Sequence, residues 1–276
     1  MNIRIVADSS ANLSTLPDNS IISVPLTLRT DEKEFVDNAS LDIKNMTDYL
    51  ASYKGKSGSA CPSSQDYVEA FGDAEYIFVI TITSNLSGSF NAARIAKEDY
   101  EEEHPDRKVF LIDSLSAGPE LKLIVEKILE LNANGLSFEE ICDEIAEYQK
   151  KTHLIFCLKS LTNLANNGRV NPAVAKIAGV LNIHVTGIAS EVGTLEQREK
   201  ARGEKKAIAS VLKLMDEFHY AGGKLRIDHC FNETDANRLK ELVLEKYPTA
   251  DIVIAETRGL CSFYAEVGGL MVGFEG

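Results

Sequence analysis

The sequence predicts an α/β protein of βαβ units in two lobes, with a parallel sheet in the first and a new sheet opening the second. Three observations carry this. Apolar strand-like runs alternate with stretches whose apolar residues recur every three or four positions, the pattern of βαβ units. Three early strand-like runs end in turns rich in hydroxyls and carboxylates: Asp8-Ser9-Ser10, Thr83-Ser84 through Ser87, and Asp113-Ser114. In a parallel sheet such turns share one edge, where open α/β sheets bind ligands, although Asp and Ser there also serve as plain helix caps. Finally, a helix opening on Ser137 and Glu140, spaced as a capping box, gives way to the apolar run Leu154–Leu158, which starts a new sheet.

Taken in order, the strand-like runs are Ile3–Ala7, Ile21–Leu28, Ile77–Ile82, Val109–Ile112, His153–Leu158, Ile183–Ala189, Lys224–Asp228, Ile252–Glu256 and Leu270–Phe274. Helical periodicity covers Ile43–Tyr53, Ser64–Gly72, Asn91–Glu103, Pro119–Asn134, Ser137–Lys151, Asn171–Gly179, Glu196–Tyr220 and Thr234–Tyr247. The boundary between lobes is expected near Gln149–Thr152, giving residues 1–150 and 151–276. The run Glu101-Glu102-Glu103 reads as a solvated helix end.

With 276 residues, 44% of them hydrophobic and 26% charged, the chain has an ordinary globular composition. A formal net charge of −13 argues against nucleic acid as a partner and against a general attraction to anionic membranes. No apolar run approaches the roughly 18–20 residues of a membrane span, so stable insertion is not expected and only transient membrane contact is compatible. The N-terminus enters a strand-like run without a basic leader, and five scattered cysteines show no C-x-x-C pair. Both features point to a cytoplasmic chain with reduced thiols. The five histidines lack metal-ligand spacing, and neither a phosphate loop nor a dinucleotide fingerprint occurs. Asn85-Leu86-Ser87-Gly88-Ser89 has one flanking glycine too few for a nucleophile elbow. No cofactor or metal is therefore expected.

The most informative stretch is residues 76–96. An apolar run stops at Thr83-Ser84-Asn85-Leu86-Ser87-Gly88-Ser89, and a helix opens at Phe90-Asn91-Ala92-Ala93. Strand, serine-rich turn and helix start together aim free N–H groups and hydroxyls at one point, where the helix dipole favours an anion. Ser87 is the expected side-chain donor, and Gly88 permits close backbone approach. The same residues also suit a plain helix cap by Ser87 or Ser89.

Ser84-Asn85-Leu86-Ser87-Gly88-Ser89-Phe90-Asn91-Ala92-Ala93 resembles the central signature of the DegV family of bacterial fatty-acid-binding proteins. Further landmarks follow the family's order along nearly the whole chain. They are Asp8-Ser9-Ser10, Val24-Pro25-Leu26, Phe35-Val36-Asp37, Ile112-Asp113-Ser114, Leu161-Thr162-Asn163-Leu164 leading into Gly168-Arg169-Val170, and Gly268-Gly269-Leu270-Met271-Val272-Gly273-Phe274. The resemblance implies a two-domain DegV-like fold, an N-terminal Rossmann-like parallel sheet with helices on both faces and a C-terminal α/β domain with a mixed sheet. A long-chain fatty acid such as palmitate, stearate or oleate would lie between them. It also implies a carrier without catalytic machinery, a monomer that presents the acid to a separate fatty-acid kinase for phosphorylation to acyl-phosphate in phospholipid synthesis.

The resemblance places the carboxylate at Ser87, Gly88 and Ser89, with Asp8 and Ser114 on the same edge. Ser59 and Tyr264 complete the head-group set, and both depart from the family pattern. Ser59 stands for a threonine, followed by Ala60-Cys61 in place of Ser-Gln, and Tyr264 stands for a histidine. A phenol donates a hydrogen bond but carries no charge near neutral pH. His229 aligns with a family histidine, at most behind the site. Ile177–Leu181 and Ile183 are candidate tunnel residues, equally readable as core. Arg169 and Arg202 match arginines at or near the kinase contact, and Arg202 lies in a basic cluster with Arg198, Lys200, Lys205 and Lys206, expected at the start of a helix. Two other readings stay open: an acyl hydrolase using Ser87, which needs a histidine within reach, and a binder of another small carboxylate or phosphate.

Overall fold

The structure, a computed structural model, describes residues 2–173 and 182–276. The first sheet is wholly parallel, in the order β2 (Ile21–Val24), β1 (Ile3–Asp8), β6 (Tyr76–Thr81), β7 (Lys108–Asp113). Its strands are apolar on both faces because helices cover both. Ile5, Ala7, Phe78 and Ile80 pack against α4 (Pro119–Ala133) and α5 (Phe138–Tyr148). Val6, Ile77 and Val79 pack against α2 (Ser64–Phe71) and α3 (Ser89–Glu103). The capping box expected at α5 is present: Ser137 Oγ accepts from Glu140 N and the Glu140 carboxylate accepts from Ser137 N.

The run expected over Ile21–Leu28 is two strands. Pro25 lacks an N–H for the ladder and ends β2. The chain then enters a small antiparallel sheet ordered β4 (Glu34–Val36), β3 (Thr27–Thr30), β5 (Ser57–Ala60), packed on α1 (Ile43–Ser52). Strands β4 and β5 carry too few apolar residues for alternation to reveal them.

The second sheet is mixed, in the order β10 (Leu195–Arg202), β9 (Ile183–Ala189), β8 (Thr152–Leu158), β13 (Leu270–Glu275), β11 (Lys224–His229), β12 (Asp251–Glu256). The short α6 (Thr162–Asn166) follows β8, and one face of the sheet is covered by α7 (Glu204–Glu217) and α8 (Glu233–Lys246). The expected helix Glu196–Tyr220 is a strand followed by a helix. Residues 195–202 pair antiparallel with β9, and Gly203, at φ +84°, turns the chain into α7. The cluster Arg198, Lys200 and Arg202 therefore lies on an edge strand, where charges discourage further pairing, and only Lys205 and Lys206 are helical. The expected helix Asn171–Gly179 falls mostly outside the described residues.

The two sheets are joined through α4. Its apolar residues Leu121, Ile124 and Ile128 bury into the first sheet's core, while its polar face meets the second sheet. Gly273 on β13 is required by that contact, since a Cβ there would stand 2.6 Å from the Glu120 N and 2.7 Å from the Pro119 carbonyl carbon. Lys122 Nζ bonds Asp228 Oδ1 at 2.6 Å, and Asn12 Nδ2 donates to Asp228 Oδ2 at 2.6 Å, both out of water. Arg258 N donates to Asn12 Oδ1. Among the described residues no helix is long and apolar enough to cross a membrane, and no cluster of His, Cys, Asp or Glu is arranged to hold a metal ion.

Glu120, the second residue of α4, is buried in this seam and accepts a 2.7 Å hydrogen bond from Thr152 Oγ1. Burial pushes its carboxyl up from 4.5 to about 7. The folded chain thus holds that proton more tightly than the unfolded chain, so stability falls as pH rises from 4.5 through 7. A displacement of that size is worth about 3 kcal/mol. Glu120→Gln keeps an acceptor for Thr152 and is expected to remove this slope. Urea melts across that pH range should show the wild type losing ~2–3 kcal/mol more than the variant; parallel profiles would clear Glu120 of the effect.

Candidate functional site

The first sheet's order makes the crevice between β1 and β6 its switch point: from β1 the chain runs to β2 on one side and to β6 on the other. Ligands bind outside the carboxyl ends of strands at such points. Here the ends of β1 and β6 are tied by one carboxylate. Asp8 accepts from Ile82 N at 2.9 Å, Ser89 Oγ at 2.6 Å and Ser10 N at 3.2 Å, and Ser10 Oγ donates to it as well. Tyr67 OH completes the chain with a 2.6 Å bond to Ser89 Oγ. Burial raises the Asp8 carboxyl while these donors oppose it. From β7, Asp113 Oδ1 accepts Ser84 N at 3.1 Å. The turn from Ser84 to Ser89 is thus braced from both sides before any ligand is considered.

Beside this turn lies a cavity between the two sheets, with about 650 Å³ free of protein atoms, open solvent at its mouth included. Its walls are largely apolar. Leu154, Phe156 and Leu158 alternate along β8 onto the cavity face, while Ile155 and Cys157 point to the opposite core. Helix α9 (Gly259–Ala265) contributes Leu260, Cys261, Tyr264 and Ala265, one face of a short helix. Its start is anchored by Asp37, which accepts from Gly259 N at 2.7 Å and Leu260 N at 2.8 Å. Ile82 and Leu86 close the side nearest the first sheet.

The polar groups on the wall are Ser59, Ser87, Arg169 and Tyr264. Ser87 Oγ accepts from Ser89 N at 3.2 Å in the turn that precedes α3 and also faces the cavity. A hydroxyl has one proton to give and two lone pairs, so this bond uses a lone pair and leaves the proton to donate. Ser59 Oγ and Tyr264 OH lie 2.8 Å apart and share one hydrogen bond, which leaves one O–H of the pair to donate. Burial pushes the Tyr264 phenol up, keeping it protonated. The Arg169 guanidinium stacks 5.7 Å from the centre of the Tyr264 ring. Its Nε donates to the Leu86 carbonyl at 3.3 Å and its Nη1 to the Asn167 carbonyl. These partners are neutral, so its charge is not cancelled by a carboxylate among them.

The structure does not bring the other candidates to the cavity. Asp8 and Ser89 are buried against each other, and Ser114 is buried against Ser116. Gly88 is the N-cap of α3 at an ordinary φ of −74°; a Cβ there would stand 3.1 Å from Cys61 Sγ. Arg202 is exposed on β10, off the cavity wall, and His229 is buried behind it, accepting from Asn232 N. Ile183 is not part of the cavity wall, and residues 177–181 lie outside the described residues. The cavity instead has walls from β8, β13 and α9. The alternation Leu154-Ile155-Phe156-Cys157-Leu158 was a sequence signal for a two-faced strand, but nothing in it said which face borders a void.

Comparison with known proteins agrees with this geometry. The family model described as "Uncharacterised protein, DegV family" matches residues 2–275. A DegV domain-containing protein of Streptococcus pneumoniae is 47% identical over 100% of this chain and 99% of its own. Among solved structures, a DegV family protein from Eubacterium eligens loaded with heptadecanoic acid superposes with a TM-score of 0.97 at 45% identity, covering 99% of both chains. The Streptococcus pneumoniae fatty acid kinase B3 protein loaded with linoleic acid gives 0.97 at 46% identity, over 100% of this chain and 99% of the other. The match over nearly all residues and the shared two-sheet architecture show that this chain belongs to the DegV family.

Proposed function

We propose that this protein binds a long-chain fatty acid, with its carboxylate at Ser87, Ser59 and Tyr264 and its tail in the apolar cavity, and presents it to a separate fatty-acid kinase. The observation that carries this is the cavity's polarity pattern: a hydrophobic enclosure whose hydroxyl donors and one guanidinium are the groups an acid's head requires. That two relatives of about the same fold are loaded with fatty acids supports the reading. Burying methylenes contributes about 0.8 kcal/mol each, so a sixteen-carbon tail offers on the order of 10 kcal/mol gross. The tail sets affinity, and the head sets orientation.

In this reading residues 1–150 carry the carboxylate-binding turns, and residues 151–276 add Tyr264 and supply most of the acyl wall. The kinase brings nucleotide and Mg²⁺ to a carboxylate kept at the cavity mouth. We assign kinase docking to Arg202, exposed on the edge strand β10, and keep Arg169 at the mouth. The name of the pneumococcal relative supports a kinase partner. Cytoplasmic residence fits the five free cysteines. A carrier is preferred to an acyl hydrolase because Ser87 Oγ is bonded to Ser89 N, with no histidine among its described partners to take its proton.

Ser87→Ala removes one charge-assisted hydrogen bond, worth roughly 1.5–3 kcal/mol, so fatty-acid retention should weaken about tenfold or more with the fold intact. Competitive displacement of a fluorescent fatty acid measures this, and unaltered affinity would remove Ser87 from the site. Arg202→Glu is expected to leave lipid affinity unchanged while lowering acyl-phosphate formation by a partner kinase. Loss of both together would indicate a misfolded variant instead, and unchanged transfer would take Arg202 out of the docking surface.

A further inference from the structure

We infer that Met271, set beside Phe156, is the adjustable wall that selects acyl-chain shape in this protein, a role resting on the fatty-acid reading above. The two residues are direct partners across β13 and β8 and both line the cavity. Each extends over a glycine. A Cβ at Gly118 would stand 2.6 Å from Met271 Cε and 3.2 Å from its Sδ, so the thioether lies in the notch this glycine leaves at the start of α4. Gly118 sits at φ +67°, where a side chain is disfavoured in any case, so backbone and notch impose the same residue. On the other side, Gly187 of β9 pairs with Phe156. A Cβ there would lie 2.8 Å from Phe156 Cε2 and closer still to Cζ. Both side chains are therefore laid into recesses of the wall, and the space they vacate is left to the ligand.

The two differ in how far they yield. The Phe156 ring is a rigid plate, and it lies against the backbone of β9. Met271 is unbranched, with three rotatable bonds and a soft sulfur, and shifts without moving the backbone. One stiff and one compliant residue side by side make a wall that holds at Phe156 and yields at Met271, so the bulk at Met271 decides how far bent chains are taken relative to straight ones. The head-group donors cannot supply that discrimination, because every fatty acid offers them the same carboxylate. Changing the bulk of Met271 therefore changes which chains are taken and leaves head-group capture as it is.

The test is a competition between stearate and oleate for delipidated, full-length protein, with bound acids quantified by mass spectrometry and thermal melts run alongside. One methylene of mismatch in an apolar pocket discriminates by roughly 10–200-fold, so the wild type should hold the two acids within about tenfold of each other. Met271→Phe fills the recess and is expected to lower the oleate-to-stearate ratio by about tenfold. Met271→Ala should raise it by at least about threefold, and Met271→Leu, close in volume, should stay within about twofold. If the phenylalanine variant does not fold, the alanine variant carries the test. An unchanged ratio in lipid-loaded Met271→Ala would overturn the selector role and leave fatty-acid binding standing. A wild-type protein that takes up neither acid would overturn the fatty-acid reading itself.

Discussion

The Asp8 carboxylate is the constraint on which the site depends. It is a buried anion placed at the end of β1, and its donors come from three separate pieces of chain: Ser10, Ile82 at the end of β6, and Ser89 at the start of α3. Burying a carboxylate is costly unless its lone pairs are filled, so the arrangement is stable only when all three pieces are in register. That register fixes the backbone from Ile82 to Ser89, and with it the position of the Ser87 hydroxyl. Asp113 does the same from β7 for Ser84, and Asp37 fixes the start of α9, which carries Tyr264 and Cys261 to the opposite wall. Three aspartates thus act on the backbone and none lines the cavity. Their work is to hold hydroxyls still, so that a weak donor set needs little reorganisation when a ligand arrives.

The same division explains what the sequence disclosed. The parallel sheet was legible because both faces of β1 and β6 are buried, and a run such as Tyr76–Thr81 has no other comfortable environment. The boundary between sheets was legible from local chemistry, the Ser137–Glu140 capping box and the apolar run after it. Strand β10 was not. Leu195 to Arg202 is rich in good helix formers, and its identity is decided by pairing with β9 and by the left-handed Gly203, both set by tertiary structure. The small sheet of β3, β4 and β5 was hidden for a related reason, since Ser57-Gly58-Ser59-Ala60 has no pattern of its own and is a strand because β3 lies beside it.

For the site, motif order located the turn but overstated which of its residues face a ligand. Asp8, Ser89 and Ser114 lie near Ser87 at the sheet edge, yet they point into the protein, each held by a buried hydrogen-bond partner: Ser89 Oγ on Asp8, and Ser114 Oγ on the Ser116 carbonyl. Ser59 and Tyr264 could not be paired by any local rule. They are 205 positions apart and meet only because β5 and α9 face the same cavity. The apolar wall was the least visible part, since a leucine against a void and a leucine in a core look alike in sequence.

Substitution of tyrosine at position 264 follows from how the rest of this site is built. A residue there must satisfy Ser59, present a flat face to the Arg169 guanidinium, and stay uncharged. A half-buried phenol meets all three, since desolvation holds its proton on and the ring face attracts the cation. An imidazole would meet the first two but would change charge within the physiological range. In the proposed reading, charge at the head is left to the Arg169 guanidinium, while the hydroxyls supply direction. A donor set of this kind suits a ligand held mainly by its tail. Under the proposed carrier function the head need only be kept in one orientation, by hydrogen bonds weak enough to exchange.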